Sequence, residues 1–221
     1  MIGIGNDIVD LNFAARESNW QRKGFLEKVF TYEEQNAIHN SNKPFELVWR
    51  LWSMKESAYK LYVQVKNERF FNPKSLICSI LSDSQGTVKI GTRVFQTNTE
   101  YDKHYILTTA LIDKSTKCIS QHFNLITSTQ SEQTHSFLLQ FVAKQKQMEL
   151  NYLTIQKTAI NTPQLYYKNE PLPFGVSLTH HGNWGAFSIS SFPEGKVSLS
   201  DGRGFTDSSA LLLENDELIR L

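Results

Sequence analysis

Between Phe45 and Val65 the apolar residues Leu47, Val48, Leu51, Trp52, Ala58, Tyr59, Tyr62 and Val63 recur at helical spacing. The pattern predicts a helix over 45–65. Its apolar arc is wide, so the rest of the chain must cover most of its circumference. The same helix nevertheless carries Lys55, Glu56 and Lys60. Glu56 and Lys60 are four apart and share a face, Trp52 lies one turn earlier on it, and Lys55 sits about 100° around the axis. An i, i+4 Glu–Lys pair is ordinarily a solvated surface feature. A helix with so little surface left to solvate three charges wants a charged ligand.

The chain around this helix has 221 residues, enough for one sizeable core or for two small ones in contact. Hydrophobic residues make up 40% and charged residues 20%, as in soluble globular proteins, and 14 Phe, 8 Tyr and 4 Trp can fill a core. A net charge of +1 provides no global field to hold nucleic acid or an anionic membrane, so neither partner is expected. No signal peptide and no membrane-spanning apolar run is read, and the expected location is the cytoplasm. Cys78 and Cys118 belong to no CxxC or Cys/His cluster, so they are read as core or strand cysteines rather than a disulfide or zinc site.

Ile2 to Leu11 is β-branched and alternating, and reads as a buried strand. Thr31-Tyr32-Glu33-Glu34 is a capping box opening a helix to about Asn40. After the long helix, strands are expected at Leu76–Leu81, Thr87–Phe95 and Tyr105–Ile112, with turns at Asp83–Gly86 and Asn98–Lys103. Lys114–Lys117 is a junction. A strand at Ile119–Ile126, a helix from Ser131 to about Leu150, and strands at Leu153–Ala159, Gln164–Tyr167, Gly175–Leu178 and Gly185–Ser190 follow. Each half thus holds a helix followed by strands. The expectation is an α+β fold of two similar units, 1–113 and 118–192, forming a pseudo-dimer, with a tail at 193–221 that holds a short apolar segment, Leu211–Leu213.

Two further islands carry chemistry. In Gly5-Asn6-Asp7-Ile8-Val9-Asp10 an Asp interrupts an apolar strand, which is costly unless it is paired, hydrogen-bonded at the strand end or bound to a cation. Asp7 and Val9 should face one side, Ile8 and Asp10 the other. In Ser177-Leu178-Thr179-His180-His181-Gly182 two histidines end a strand. Too few ligands accompany them for zinc, and either a structural role or anion binding by a His remains open.

Together these islands resemble the 4′-phosphopantetheinyl transferase superfamily. Gly5-x-Asp7 matches its first motif, Trp52-Ser53-x-Lys55-Glu56-Ser57-x-x-Lys60 its second, Phe30-Thr31-x-x-Glu34 a recurring segment between them, and Ser177 to Gly182 its Ser-x-Ser/Thr-His segment. The resemblance implies transfer of the phosphopantetheine arm of coenzyme A to a serine of an apo acyl- or peptidyl-carrier protein, with release of 3′,5′-ADP. It implies that Asp7 and Glu56 hold Mg²⁺, that Lys55 and Lys60 neutralise phosphate charge, that Thr179 and His180 bind the phosphates of coenzyme A, with His181 as the alternative contact, and that Glu56 accepts the serine proton. A non-catalytic coenzyme A- or nucleotide-binding paralogue is the alternative reading. Val9 stands where many two-unit members have a second acid, as in the small single-unit synthases, where water fills that place. The His segment follows the Asp motif, as in those synthases, although this chain is far longer. The order implies either two units in exchanged order or a small synthase with an insertion between Lys66 and Tyr167. The first predicts a monomer, the second a trimer. Arg16, Arg22, Lys23 and Lys28 could meet an acidic carrier, or form a solvated face with Glu17 and Glu27.

Overall fold

The structure, a computed structural model, describes residues 3–190 except 71 and 114. The expected tail, with Leu211–Leu213, lies outside the described residues. The mixed α+β architecture stands. Strand β1 (Ile4–Asp10) leads into the short helices α1 (Leu11–Glu17) and α2 (Phe25–Val29), then α3 (Tyr32–His39) and the long α4 (Pro44–Lys66). A meander follows: β2 (Leu76–Ile80), β3 (Gln85–Ile90), β4 (Arg93–Tyr101) and β5 (Tyr105–Leu111). With β1 inserted at the edge beside β5, these strands form one antiparallel sheet of order β1-β5-β4-β3-β2.

Three local outcomes have simple causes. The capping box at Thr31 forms with both of its bonds, Glu34 N–H to Thr31 Oγ1 at 3.3 Å and Thr31 N–H to Glu34 Oε2 at 2.8 Å, and α3 starts where the sequence places it. The expected strand Thr87–Phe95 is instead two, because Gly91-Thr92 makes a two-residue turn that pairs Ile90 with Arg93. The strand after that turn continues through Tyr101, so most of the turn expected at Asn98–Lys103 is strand. Helix α4 and the sheet enclose the main core, with Val48, Leu51, Met54, Ala58 and Leu61 of the helix packed among Val88, Phe95, Ile106 and Ala110. No helix among the described residues is long and apolar enough to cross a membrane.

The later part of the chain builds two smaller sheets. Strands β6 (Cys118–Asn124), β10 (Val176–His181) and β11 (Trp184–Ser190) form one, in the order β10-β11-β6. Helix α5 (Gln130–Lys146) packs near them, with Phe141 5.2 Å from Phe187 between ring centroids. Strands β7 (Leu153–Lys157), β8 (Pro163–Tyr167) and β9 (Glu170–Pro171) form the other. The expected junction at Lys114–Lys117 thus falls between the last strand of the five-stranded sheet and the first of the second.

Strand β1 lies between β5 and β10. Its backbone pairs with β5 alone, which leaves its other edge buried and in need of partners. Side chains of β10 supply them at the two-residue period of a strand. Asn6 N–H donates to Ser177 Oγ at 3.0 Å, Ile8 N–H to Thr179 Oγ1 at 3.3 Å, and Asp10 N–H to His181 Nδ1 at 3.0 Å. Leaving any one buried N–H unmet would cost about 1–3 kcal/mol. The chain bends back at Gly182, whose φ of +57° suits glycine and where any Cβ would meet the Asp10 carboxylate. That carboxylate accepts from Phe13 N–H and Asn183 N–H, both at 2.9 Å, so Asp10 caps α1 and holds the β10–β11 turn together.

Candidate active site

Helix α4 reads β1 through one stripe of residues, 53, 57, 60 and 64. Ser53 Oγ donates to the Asp7 carbonyl at 2.9 Å, Lys60 Nζ to the Asn6 carbonyl at 2.8 Å, and Gln64 Nε2 to the Ile4 carbonyl at 2.8 Å. At the level of Ser57 the two backbones touch. A Cβ on Gly5 would overlap the Ser57 carbonyl oxygen, so the Gly of Gly-x-Asp is what brings the strand against the helix. Asp7 and Val9 face α4, while Ile8 packs with Tyr105, Leu107 and Ala186 on the opposite side, the alternation read from the sequence.

This approach sets the Asp7 carboxylate against Lys60, 3.2 Å from Nζ. Thr179 donates to the same oxygen at 3.3 Å. Burial pushes the Asp7 carboxyl upward, against the opposing pull of Lys60, Thr179 and His181. Glu56 lies one helical turn before Lys60. Burial is the main cause that raises its carboxyl, and the Asp7 charge raises it further, with Lys60 working the other way. Two desolvated carboxylates that repel each other beside one ammonium form a site short of positive charge. Hard carboxylate oxygens suit a divalent cation such as Mg²⁺. Among the described residues no group of three or more His, Cys, Asp and Glu could hold a metal. Asp7 and Glu56 therefore fit a cation that takes its other ligands from a bound phosphate and water.

His180 alternates with the side chains that clasp β1, so it faces away from the strand into a cavity of about 370 Å³. Glu56 and Lys60 line that cavity, and so do His135 of α5, Lys157 of β7 and Arg69. Burial, then Lys60, then His135 and His181 hold the His180 imidazole below its ordinary pKa. Burial and Lys157 do the same to His135. Beyond burial, the neighbouring positive groups add to both shifts, and the cavity gathers Lys60, Arg69, His135, Lys157 and His180, a lining suited to a polyanion.

The expected residues divide clearly. Asp7, Glu56 and Lys60 are brought together, and His180 shares the cavity that Glu56 and Lys60 line. Lys55 is not among them. It is 2% exposed, and its ammonium is spent on Glu34 at 2.8 Å and on the carbonyls of Pro73 and Leu76. Its rotation about α4 turns it toward the capping-box carboxylate of α3, so its ammonium meets protein groups in this structure rather than the cavity that His180 faces. Thr179 is 6% exposed, and its hydroxyl is already engaged by Ile8 N–H and Asp7, so it positions the carboxylate rather than reaching the cavity. His181 uses Nδ1 on Asp10 N–H, which leaves His180 as the histidine of the pair that faces the cavity. His135, Lys157 and Arg69 stand in no motif, and only their meeting at one cavity identifies them.

A family model described as the 4′-phosphopantetheinyl transferase superfamily matches residues 3–122, more than half of the chain, including Gly5-x-Asp7 and the Trp52–Lys60 segment. Among solved structures, holo-[acyl-carrier-protein] synthase from Neisseria meningitidis is similar at a TM-score of 0.40 and 16% identity, covering 52% of this chain and 100% of that one. The Thermotoga maritima holo-[acyl-carrier-protein] synthase is similar at 0.41 and 11%, covering 77% of this chain and 86% of that one. No curated protein matches in sequence. By the extent of the family match, the chain belongs to the 4′-phosphopantetheinyl transferase superfamily.

Proposed function

We propose that the chain transfers 4′-phosphopantetheine from coenzyme A to a serine hydroxyl of an apo acyl- or peptidyl-carrier protein in a Mg²⁺-dependent reaction that releases 3′,5′-ADP. The observation that carries this reading is the meeting of Asp7, Glu56 and Lys60, the last two of which line a basic cavity together with His180. Mg²⁺ held by Asp7 and Glu56 would supply Lewis-acid withdrawal of charge from the phosphate under attack. Lys60 neutralises charge that grows on the leaving phosphate, and His180 engages a phosphate of coenzyme A. The raised carboxyl of Glu56 suits it to accept the serine proton, because a base is most effective when its pKa approaches the working pH. We further propose that residues 1–113 and 118–192 act as two halves of a pseudo-dimer. The protein then works as a monomer in the cytoplasm, on carriers of fatty-acid, polyketide or peptide synthesis.

The test is incubation of the protein with coenzyme A, Mg²⁺ and a panel of apo-carriers, followed by intact-mass spectrometry and assay of 3′,5′-ADP. A carrier that gains one phosphopantetheine, with stoichiometric 3′,5′-ADP and loss of both on chelation, supports the proposal. Binding of coenzyme A without modification of any carrier would favour a non-catalytic paralogue instead.

A further inference from the structure

Asp7 and Val9 of β1 face α4, so Asn6 and Ile8 face the other way, toward the sheet of β6, β10 and β11. Around Ile8 the contact is apolar, with Leu107 of β5 and Ala186 of β11. Two residues earlier along β1 it turns polar. Thr109 of β5 is the cross-strand partner of Asn6, and Ser177, Ser188 and Ser120 follow one another as partners across β10, β11 and β6. Ser177 Oγ accepts from Asn6 N–H, Thr109 Oγ1 is 3.1 Å from Ser120 Oγ, and Ser120 Oγ is 2.7 Å from Ser188 Oγ. One amide and a row of hydroxyls thus make a polar layer where β1 and β5 meet the later sheet. Asn6 is 0% exposed, and neither polar atom of its side-chain amide has a hydrogen-bond partner among the described residues. Sliding the strand to supply one would break the bonds that Ser177 makes to Asn6 N–H and Lys60 to its carbonyl.

We infer that Asn6 and this hydroxyl row hold one internal water between β1 and the later sheet. A buried amide left unmet is costly, and internal waters sit where buried polar groups lack protein partners, making about three hydrogen bonds each. The layer offers that number. A primary amide carries one N–H on the same side as its carbonyl oxygen, so a single water accepts from Asn6 Nδ2–H and donates to Asn6 Oδ1 in one ring. The two bonds within the row leave unused lone pairs on its oxygens, and the second proton of the water goes to one of them. The side chains opposite Asn6 are serines and a threonine, short enough to leave space that the apolar layer around Ile8 fills with larger groups. Such a water ties the residue before Asp7 to the strands of the later sheet, beside the clasp that Ser177, Thr179 and His181 make along the edge of β1. The site is separate from the cavity that His180 faces, whose lining does not include Asn6.

The test uses the protein alone, with neither coenzyme A nor a carrier. Diffraction to high resolution should show an ordered water at hydrogen-bond distance, about 2.5–3.2 Å, from both amide atoms of Asn6 and from a hydroxyl oxygen of the row. In solution, oxygen-17 magnetic relaxation dispersion counts the waters held inside a protein for longer than it takes to tumble. Asn6→Leu keeps the branched side-chain shape and removes both polar atoms, and it should lower that count by one. Should Asn6→Leu fail to fold, diffraction from the unsubstituted protein decides alone. An Asn6 amide that bonds directly to protein groups, with no water beside it, overturns the inference. So does an unchanged count of internal waters in folded Asn6→Leu.

Discussion

No hydrogen-bond donor reaches Glu56 among the described residues, and Asp7 places a second negative charge close to it. Both carboxyls lie above their ordinary values in the folded protein. The folded state therefore binds more protons than the unfolded state between the unfolded value, about 4, and the raised folded one. Across that window stability falls as pH rises. Glu56→Gln removes one of the two charges and should raise the unfolding temperature at pH 7, by about 2–4 °C for each kcal/mol relieved in a chain of this size, with a flatter pH dependence. Mg²⁺ should raise the unfolding temperature of the unsubstituted protein and leave that of Glu56→Gln nearly unchanged. A fall in melting temperature for Glu56→Gln in a calorimetric pH series would contradict the strained-pair account. Lys55 behaves in the opposite way. It forms a buried ion pair, and Lys55→Met leaves Glu34 buried without its partner, which should cost about 3–5 kcal/mol in urea unfolding. Preserved stability with weakened coenzyme A binding would restore Lys55 to the ligand. Sequence alone did not separate the two lysines, because both belong to one motif on one helix. The 100° offset between Lys55 and Glu56 was visible, but the element waiting on that side, α3 with Glu34, was not.

At the scale of elements, the site depends on β1 being held between α4 and β10. Ser177, Thr179 and His181 stand in for the strand partner that β1 lacks on that edge. Thr179→Val keeps the shape of the side chain and removes the acceptor for Ile8 N–H and a donor to Asp7. It should destabilise by about 1–3 kcal/mol and speed amide exchange at Ile8 ahead of its neighbours. Unchanged protection at Ile8 would mean that the side-chain ladder does not hold the strand. The elements with a strong local signal were legible in the sequence: α4 from its apolar period, α3 from its capping box, and β1 from its alternation. Helices α1 and α2, of 7 and 5 residues, carry too few turns to show a period. The hairpin at Gly91 was hidden because apolar residues on both sides of a two-residue turn read as one run. Strand β10 runs through His181, past the Gly175–Leu178 stretch and up to the histidines that end a strand in the sequence, and Thr179 and His181 find partners on a strand some 170 residues away, a contact no local pattern encodes.

For the whole molecule, Glu56 and Lys60 come from the first half and His180 from the second, and they line one cavity within one chain, with Asp7 paired to Lys60 behind it. If the proposed site is complete within one chain, mixing Asp7→Ala with His180→Ala protein, or expressing them together, should restore no activity. Recovered activity with a trimer in solution would favour a small synthase carrying an insertion.

Glu56 is the residue on which the account turns, since its carboxyl is desolvated beside Asp7 in the fold and is the base in the proposed reaction. The most direct measurement pairs thermal unfolding with intact-mass spectrometry of one apo-carrier, for the unsubstituted protein and Glu56→Gln, with coenzyme A and Mg²⁺. The account predicts that Glu56→Gln melts higher and leaves the carrier unmodified, while the unsubstituted protein adds one phosphopantetheine. Modification of the carrier by Glu56→Gln at an undiminished rate would contradict it.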